Sequence, residues 1–130
     1  MEKQRPDPLR LVIQAIPPSN NRFIGRDARW AYQEEKRRWE ILIRAALGRY
    51  KPSAPFKRAE VSIRYWFPDK RRRDPDNYSG KMLLDGLTRA GVIADDSFQA
   101  IRLELLGGWD PEQPRTEILI RPLSDLPGEA

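Results

Sequence analysis

Hydrophobic and polar positions alternate from Leu9 through Leu11, Ile13 and Ala15, with Arg10, Val12 and Gln14 between them, and this two-residue period predicts a first strand. Pro17-Pro18-Ser19-Asn20-Asn21 ends it in a loop. The period then lengthens. Trp39, Leu42, Ile43, Ala46, Leu47 and Tyr50 form one apolar stripe at helical spacing, with Asp27 placed to cap the helix and Gly48 to stop it. A second strand follows at Val61, Ile63, Tyr65 and Phe67, closed by Pro68. After a very polar connection over 69–75, Asp76 or Asn77 is placed to cap a second helix over about 78–90, burying Leu83, Leu84 and Leu87 and ended by Gly91. Ala94-Asp95-Asp96-Ser97 reads as a turn. Ile101, Leu103 and Leu105 predict a third strand broken by Gly107-Gly108, and Ile118 and Ile120 mark a fourth. The expected fold is α+β: a single mixed β-sheet with two helices packed on it, in one domain over 1–130, with 1–8 and 124–130 as loose termini.

Composition narrows the chemistry. With 39% hydrophobic residues, 33% charged residues and a mean hydropathy of −0.73, the core is thin, of a kind that a partner subunit completes. No apolar run approaches the roughly 18 residues of a membrane span. The first ten residues are too polar for a secretory signal, so a cytoplasmic protein is expected. Cysteine and histidine are both absent, which excludes disulfides, thiolate metal sites, a cysteine nucleophile, Ser-His-Asp triads and any imidazole base. Carboxylates, lysine, arginine and hydroxyls remain. Charge is unevenly placed: residues 20–73 carry 16 basic and 6 acidic side chains, and residues 74–130 carry 5 and 11. A basic middle segment suits a polyanionic partner.

The informative stretch begins where that basic segment ends. It is Arg71-Arg72-Arg73-Asp74-Pro75-Asp76-Asn77, then Lys81, then Asp95-Asp96. Residues two apart on extended chain point to one side, and Pro75 holds Asp74 extended. Two carboxylates so placed at a strand–helix junction suit Mg²⁺, which takes one or two carboxylates and fills its other positions with water and substrate phosphate. One of Asp95 and Asp96 joins them if the connection after the second helix returns beside its first turn. Each piece alone has a plain reading. D-x-D is common in solvated turns, Asp95-Asp96 in exposed ones, three arginines in a solvated loop, and Lys81 with Asp85 at i+4 on a helix surface. Together they supply what phosphodiester cleavage needs: a metal that activates water, a lysine for developing charge, and arginines for flanking phosphates. Trp30, Trp39, Trp66 and Phe67 read as core or interface.

Three segments in order resemble the RusA family of Holliday junction resolvases, small endonucleases of phage and prophage origin. They are Pro17-Pro18-Ser19-Asn20-Asn21-Arg22-Phe23, the Arg71–Asn77 core, and Leu84-Asp85-Gly86-Leu87 with Ala90-Gly91-Val92-Ile93 and Asp95-Asp96. The resemblance runs roughly from Ile13 to Ile120. It implies a RusA-like fold and Mg²⁺-dependent resolution of four-way DNA junctions by symmetrically paired nicks in recombination and repair, with Mn²⁺ able to substitute. It implies a homodimer, encoded by a bacterium or phage, with no membrane attachment and no organic cofactor; paired nicks need two sites, which C2 symmetry supplies. The family's essential acids fall on Asp74, Asp76 and Asp96, with Asp95 able to share the third position, and its essential lysine falls on Lys81. Arg22, Arg26, Arg71, Arg72 and Arg73 are the expected DNA contacts. One extra residue separates Asp76 from Lys81 relative to the family's D-N-x-x-K spacing. Gly80 is placed to absorb it; a helix already formed at Tyr78 would turn Lys81 away from Asp76, at about 100° per residue. The first strand and a patch including Leu103 or Leu105 are the expected dimer surfaces. The alternative is a structure-selective DNA-binding protein without catalysis, its acids serving as caps and turn residues. An RNA- or nucleotide-directed phosphodiesterase on the same acids is a third reading.

Overall fold

The computed structural model describes residues 7–50 and 54–123. The expected loose termini lie, apart from Asp7 and Pro8, outside the described residues. The elements are β1 (Leu9–Ile13), α1 (Ala28–Leu47), β2 (Ala59–Phe67), α2 (Lys81–Arg89), β3 (Ile101–Trp109) and β4 (Arg115–Pro122), with single 3₁₀ turns at Asn20–Phe23 and Pro75–Tyr78. One four-stranded sheet has the order β1-β4-β2-β3. β4 runs antiparallel to β1 and β2, while β2 and β3 are parallel, joined through α2. The expected mixed sheet with two helices is therefore present.

Alternation decides which face is dry. Leu11 and Ile13, Ala59 through Tyr65 at every second residue, and Thr116, Ile118 and Ile120 are buried, joining Trp39 and Ile43 of α1 and Leu83 and Leu87 of α2 in one core. The helices cover that face alone. The other face is polar and internally satisfied. Glu117 accepts from Trp66 Nε1 at 3.0 Å, Arg10 at 2.8 Å and Arg115 at 3.1 Å, and Arg64 and Arg115 lie 5.1 and 5.0 Å from the Trp66 ring centroid. Burial tends to raise the Glu117 carboxyl, but the bonds from Trp66 and Arg115 outweigh it and hold the group below its ordinary range. Among the described residues, no helix is long and apolar enough to cross a membrane.

Three expectations are corrected. β3 does not break at its glycines: Gly107 and Gly108 pair with Tyr65 and Trp66, and a Cβ on Gly108 would stand 2.7 Å from the Trp66 ring. Gly108 makes room for an aromatic neighbour instead of ending the strand. Asp85 pairs with Lys36 of α1 at 3.5 Å, not with Lys81, because it faces the other helix. And α2 starts at Lys81, not at Tyr78. Its N-cap is Gly80, at φ +82°, so neither Asp76 nor Asn77 caps it. Gly80 is doubly required, since an added Cβ would also meet Ile63 Cδ1 at 2.7 Å. Gly80→Ala is expected to cost about 2–4 kcal/mol, from left-handed strain and overpacking, read as a lowered denaturation midpoint with an unchanged slope.

Candidate active site

The chain leaves β2 at Phe67 and is wound tightly before it reaches the acids. Arg73 organises this loop. Its guanidinium meets the Asp69 carboxylate at 2.9 Å and donates to the carbonyl oxygens of Asp69 and Arg71 at 3.1 and 3.2 Å. It also lies 4.3 Å from the Phe67 ring centroid, and only 12% of its side chain is exposed. Asp69 takes further bonds from the Arg71 N–H at 3.1 Å and Nε at 3.3 Å. The backbone bond from Arg71 and then the Arg73 bond hold the Asp69 carboxyl below its ordinary value of 3.8. This pin is present at neutral pH and is lost only as pH falls through that lowered value. Arg73 thus differs from its neighbours. Arg71 and Arg72, 79% and 89% exposed, hold surface pairs with Asp69 and Asp74 that are weak enough to exchange for a phosphate.

The loop delivers Asp74 in extended conformation, as a residue before proline requires, and Pro75 opens the 3₁₀ turn. The Asn77 N–H closes that turn on the Asp74 carbonyl at 3.0 Å. Tyr78 anchors it from behind, with its ring centroid 5.7 Å from Tyr65 and 5.1 Å from Phe67. Burial first, and then the neighbouring Tyr78, raise the Tyr65 hydroxyl far above its ordinary range, so this wall stays neutral. Asp74 is about half exposed and accepts from Arg72 Nε at 3.1 Å; Asp76 is exposed. The loop after β1 secures the far side. Asn20 Nδ2 donates to the Asp76 carbonyl at 3.0 Å and to Ser79 Oγ at 3.3 Å. Asn20 was part of a recognisable motif but carried no sequence-derived role, because a bond 56 residues distant in the chain leaves no local signal.

The remaining acids lie elsewhere. Beyond α2, the Phe56 N–H donates to the Val92 carbonyl at 2.8 Å and the Ala94 N–H to the Phe56 carbonyl at 2.9 Å, fastening the chain beside Phe56 before Asp95 and Asp96 emerge exposed. Asp96 lines a groove with Arg58, Leu84, Ile101 and Leu103, at the start of β3. Asp74 lines a different hollow, with Tyr65, Tyr78 and Leu105 to Gly107, further along β3. The connection after α2 does not return to the first turn, and the nine residues of α2, at about 1.5 Å each, stand between the two ends. Accordingly, no group of three or more acidic side chains able to hold a metal ion exists among the described residues of one chain. Asp74 stands extended ahead of the 3₁₀ turn and Asp76 within it, so the two do not share the regular extended segment expected from the sequence; as a donor pair they are of the kind that Mg²⁺ takes together with water and substrate phosphate. Arg22 and Arg26 are exposed, without an ion pair among the described residues.

The model of the family Endodeoxyribonuclease RusA matches residues 13–121, most of the chain. The chain belongs to the RusA family. No curated protein matches it. Asp74 is the N-cap of the 3₁₀ turn, Asp76 and Asn77 stand on it, and Lys81 opens α2. Gly80, directly ahead of Lys81, is left-handed and caps α2. The lysine lines a cleft with Asn20, Phe23, Arg29 and Tyr32, apart from the hollow that holds Asp74.

Proposed function

We propose that this RusA-family protein is a Mg²⁺-dependent endonuclease that resolves four-way DNA junctions as a homodimer, by symmetrically paired nicks, in recombination and repair. The observation that carries the reading is the family match together with Asp74 and Asp76 held on one exposed turn, braced by Arg73, Tyr78 and Asn20. Asp74 and Asp76 would hold Mg²⁺, which would supply Lewis acidity beside the scissile phosphate and activate water there. The chain's own residues present the carboxylates and hold flanking phosphates. Arg22, Arg26, Arg71 and Arg72 have guanidiniums that are exposed and either unpaired or weakly paired.

The separation of Asp96 from the other two acids supports a dimer. β3 is an edge strand. Leu103 is in register with fully buried Val61, yet is 39% exposed, and Phe98 and Trp109 nearby are 101% and 48% exposed. The helices stop short of this edge, leaving apolar surface beside unpaired backbone. A second copy laid antiparallel along β3 exchanges the ends of the strand. Asp96 of the partner subunit then approaches the end that carries Asp74 and Asp76, and each dimer holds two composite sites. The same separation favours the second reading, a junction-binding protein that does not cut, should the chain prove monomeric.

The deciding experiment is cleavage of a labelled four-way junction with and without Mg²⁺, in competition with duplex DNA and structured RNA, alongside light scattering at micromolar concentration. The expected result is paired symmetric nicks that need Mg²⁺ and are competed only by junctions, from a dimer. A monomer that binds junctions without cutting them favours the second reading; cleavage competed better by RNA points to an RNA-directed enzyme.

A further inference from the structure

Phe98 stands in the turn ahead of β3 with its side chain wholly in solvent, 101% exposed, two residues after Asp96. It is not a scattered apolar residue. Leu103, 39% exposed, continues the same apolar surface along the free edge of the sheet. Further along β3, that edge carries a hollow of about 100 Å³ lined by Asp74. Its walls are aromatic: the ring centroids of Tyr65, Phe67 and Tyr78 lie 5.1 to 5.8 Å apart. Gly107 leaves it open. This glycine pairs with Tyr65 across the strands, and a Cβ added to it would meet only Phe67 Cε2, at 3.9 Å. Arg73, which also lines the hollow, is committed to the Asp69 carboxylate and to two carbonyl oxygens. The Tyr65 hydroxyl is already buried, beside Gly80. What stands unfilled next to Asp74 is therefore aromatic-walled space.

We propose that Phe98 of each protomer seats in this hollow of a second copy and is the anchor that carries Asp96 to the acidic turn. The inference deepens the nuclease reading and rests on its dimer. A cavity of about 150 Å³ takes a whole benzene ring, so this smaller hollow, open on one side, takes the phenyl ring in part. Its walls offer edge-to-face contacts that a phenyl ring uses well. Charge explains why the anchor is apolar. Asp96 arriving beside Asp74 and Asp76 adds like charge, which opposes the approach. Burial of a neutral ring supplies the attraction that the acids cannot. Two residues of chain span at most about 7 Å, so a seated Phe98 holds Asp96 close to the hollow and to Asp74. C2 symmetry makes the contact reciprocal, and one residue type then builds both sites. Phe98 is on this account a positioning residue that acts through Asp96.

The test is sedimentation velocity over a dilution series without Mg²⁺, for wild type, Phe98→Ala, Gly107→Val, a one-to-one mixture of those two, and Ile41→Ala. Phe98→Ala removes the anchor from an exposed position, so its fold is kept. Gly107→Val fills the hollow, and the open space at that glycine admits the new side chain; an unchanged denaturation midpoint checks this. Ile41, 63% exposed on α1, controls for loss of an exposed apolar side chain. Phe98→Ala and Gly107→Val are each expected to weaken the dimer by about 10²-fold, as loss of a seated aromatic anchor does. Ile41→Ala should match wild type. In the mixture, the Gly107→Val chain offers its Phe98 to the open hollow of the Phe98→Ala chain. One of the two contacts reforms, so the mixed dimer should be only about tenfold weaker than wild type, and with Mg²⁺ it should give single nicks instead of paired ones. Phe98→Ala that dimerises like wild type overturns the anchor. Gly107→Val that dimerises like wild type while Phe98→Ala does not overturns the hollow as its seat. A mixture no tighter than either variant overturns the reciprocal contact. Monomeric wild type overturns the seat and the dimer together. Variants that respond as expected in a protein that never cuts junctions keep the seat and remove the nuclease reading; paired nicks from a Phe98→Ala dimer keep the nuclease and remove the seat.

Discussion

Asp76→Asn is expected to leave junction affinity at or slightly above wild type and to lower Mg²⁺-dependent cleavage by about 10²–10³-fold. The magnitude follows from losing a metal-holding carboxylate, a few kcal/mol of transition-state stabilisation at about 1.4 kcal/mol per tenfold in rate. Asp76 is the better residue to test because its two polar functions are separable. Its main-chain carbonyl accepts the Asn20 amide, while its exposed carboxylate has no partner among the described residues. The amide variant therefore keeps the turn and its brace and removes only the charge. Asp74→Asn lacks this clarity, since it also releases the Arg72 guanidinium. The sign on binding is equally useful. A negative charge beside a polyanion opposes association, so removing it cannot weaken binding through electrostatics, and a loss of cleavage is not a loss of substrate. Single-turnover cleavage with saturating protein, set beside anisotropy without metal, measures the two separately. Unchanged cleavage by Asp76→Asn would remove this carboxylate from the metal site and with it the two-acid arrangement.

What was legible in the sequence divides along physical lines. The strands of the sheet carry clean alternation because only one face is covered; Val61, Ile63 and Tyr65 announce β2, and Ile118 and Ile120 announce β4. The acidic turn was legible because proline dictates the backbone before it. Gly107 and Gly108 misled, because glycine weakens a strand and also admits a neighbouring ring, and only the cross-strand partner Trp66 tells which. The start of α2 misled because Asp76 and Asn77 have the chemistry of caps, yet the 3₁₀ turn spends them before Gly80 resets the backbone. The arginine block looked uniform in sequence. In the fold it divides into one largely covered brace, Arg73, and two exposed cations, a difference fixed by Phe67 and by carbonyl oxygens that carry no side-chain signature. The convergence of three acids was expected from a connection taken to return beside the first turn of α2, and from the family resemblance, and one chain does not show it among the described residues. Nothing in local pattern shows that α2 stands between Asp76 and Asp96, and the exposed β3 edge that offers a way to reunite them becomes visible only once the sheet order is known.

Trp39→Ala is expected to destabilise the protein by about 3–5 kcal/mol, and Trp39→Phe by about 1 kcal/mol or less. Trp39 is fully buried on α1 within the core that joins the sheet to α2, so deleting the indole leaves a cavity that rigid neighbours on two layers cannot fill. In a chain of this length that corresponds to a fall of about 10–20 °C in Tm. The phenylalanine variant separates packing from polarity. The indole Nε1 is buried with no hydrogen-bond partner among the described residues, an arrangement that costs about 1–3 kcal/mol by itself. Phenylalanine loses some volume but also removes that unpaired donor, and the two effects oppose each other. Denaturant unfolding of both variants measures the difference. A Phe variant as unstable as the Ala variant would mean that the indole N–H is bonded in solution, through a buried water, and that its polarity contributes to the core. With the expected order, the phenylalanine variant should also retain junction cleavage near the wild-type rate at 25 °C, because the acidic turn is braced by Arg73, Tyr78 and Asn20 and not by Trp39.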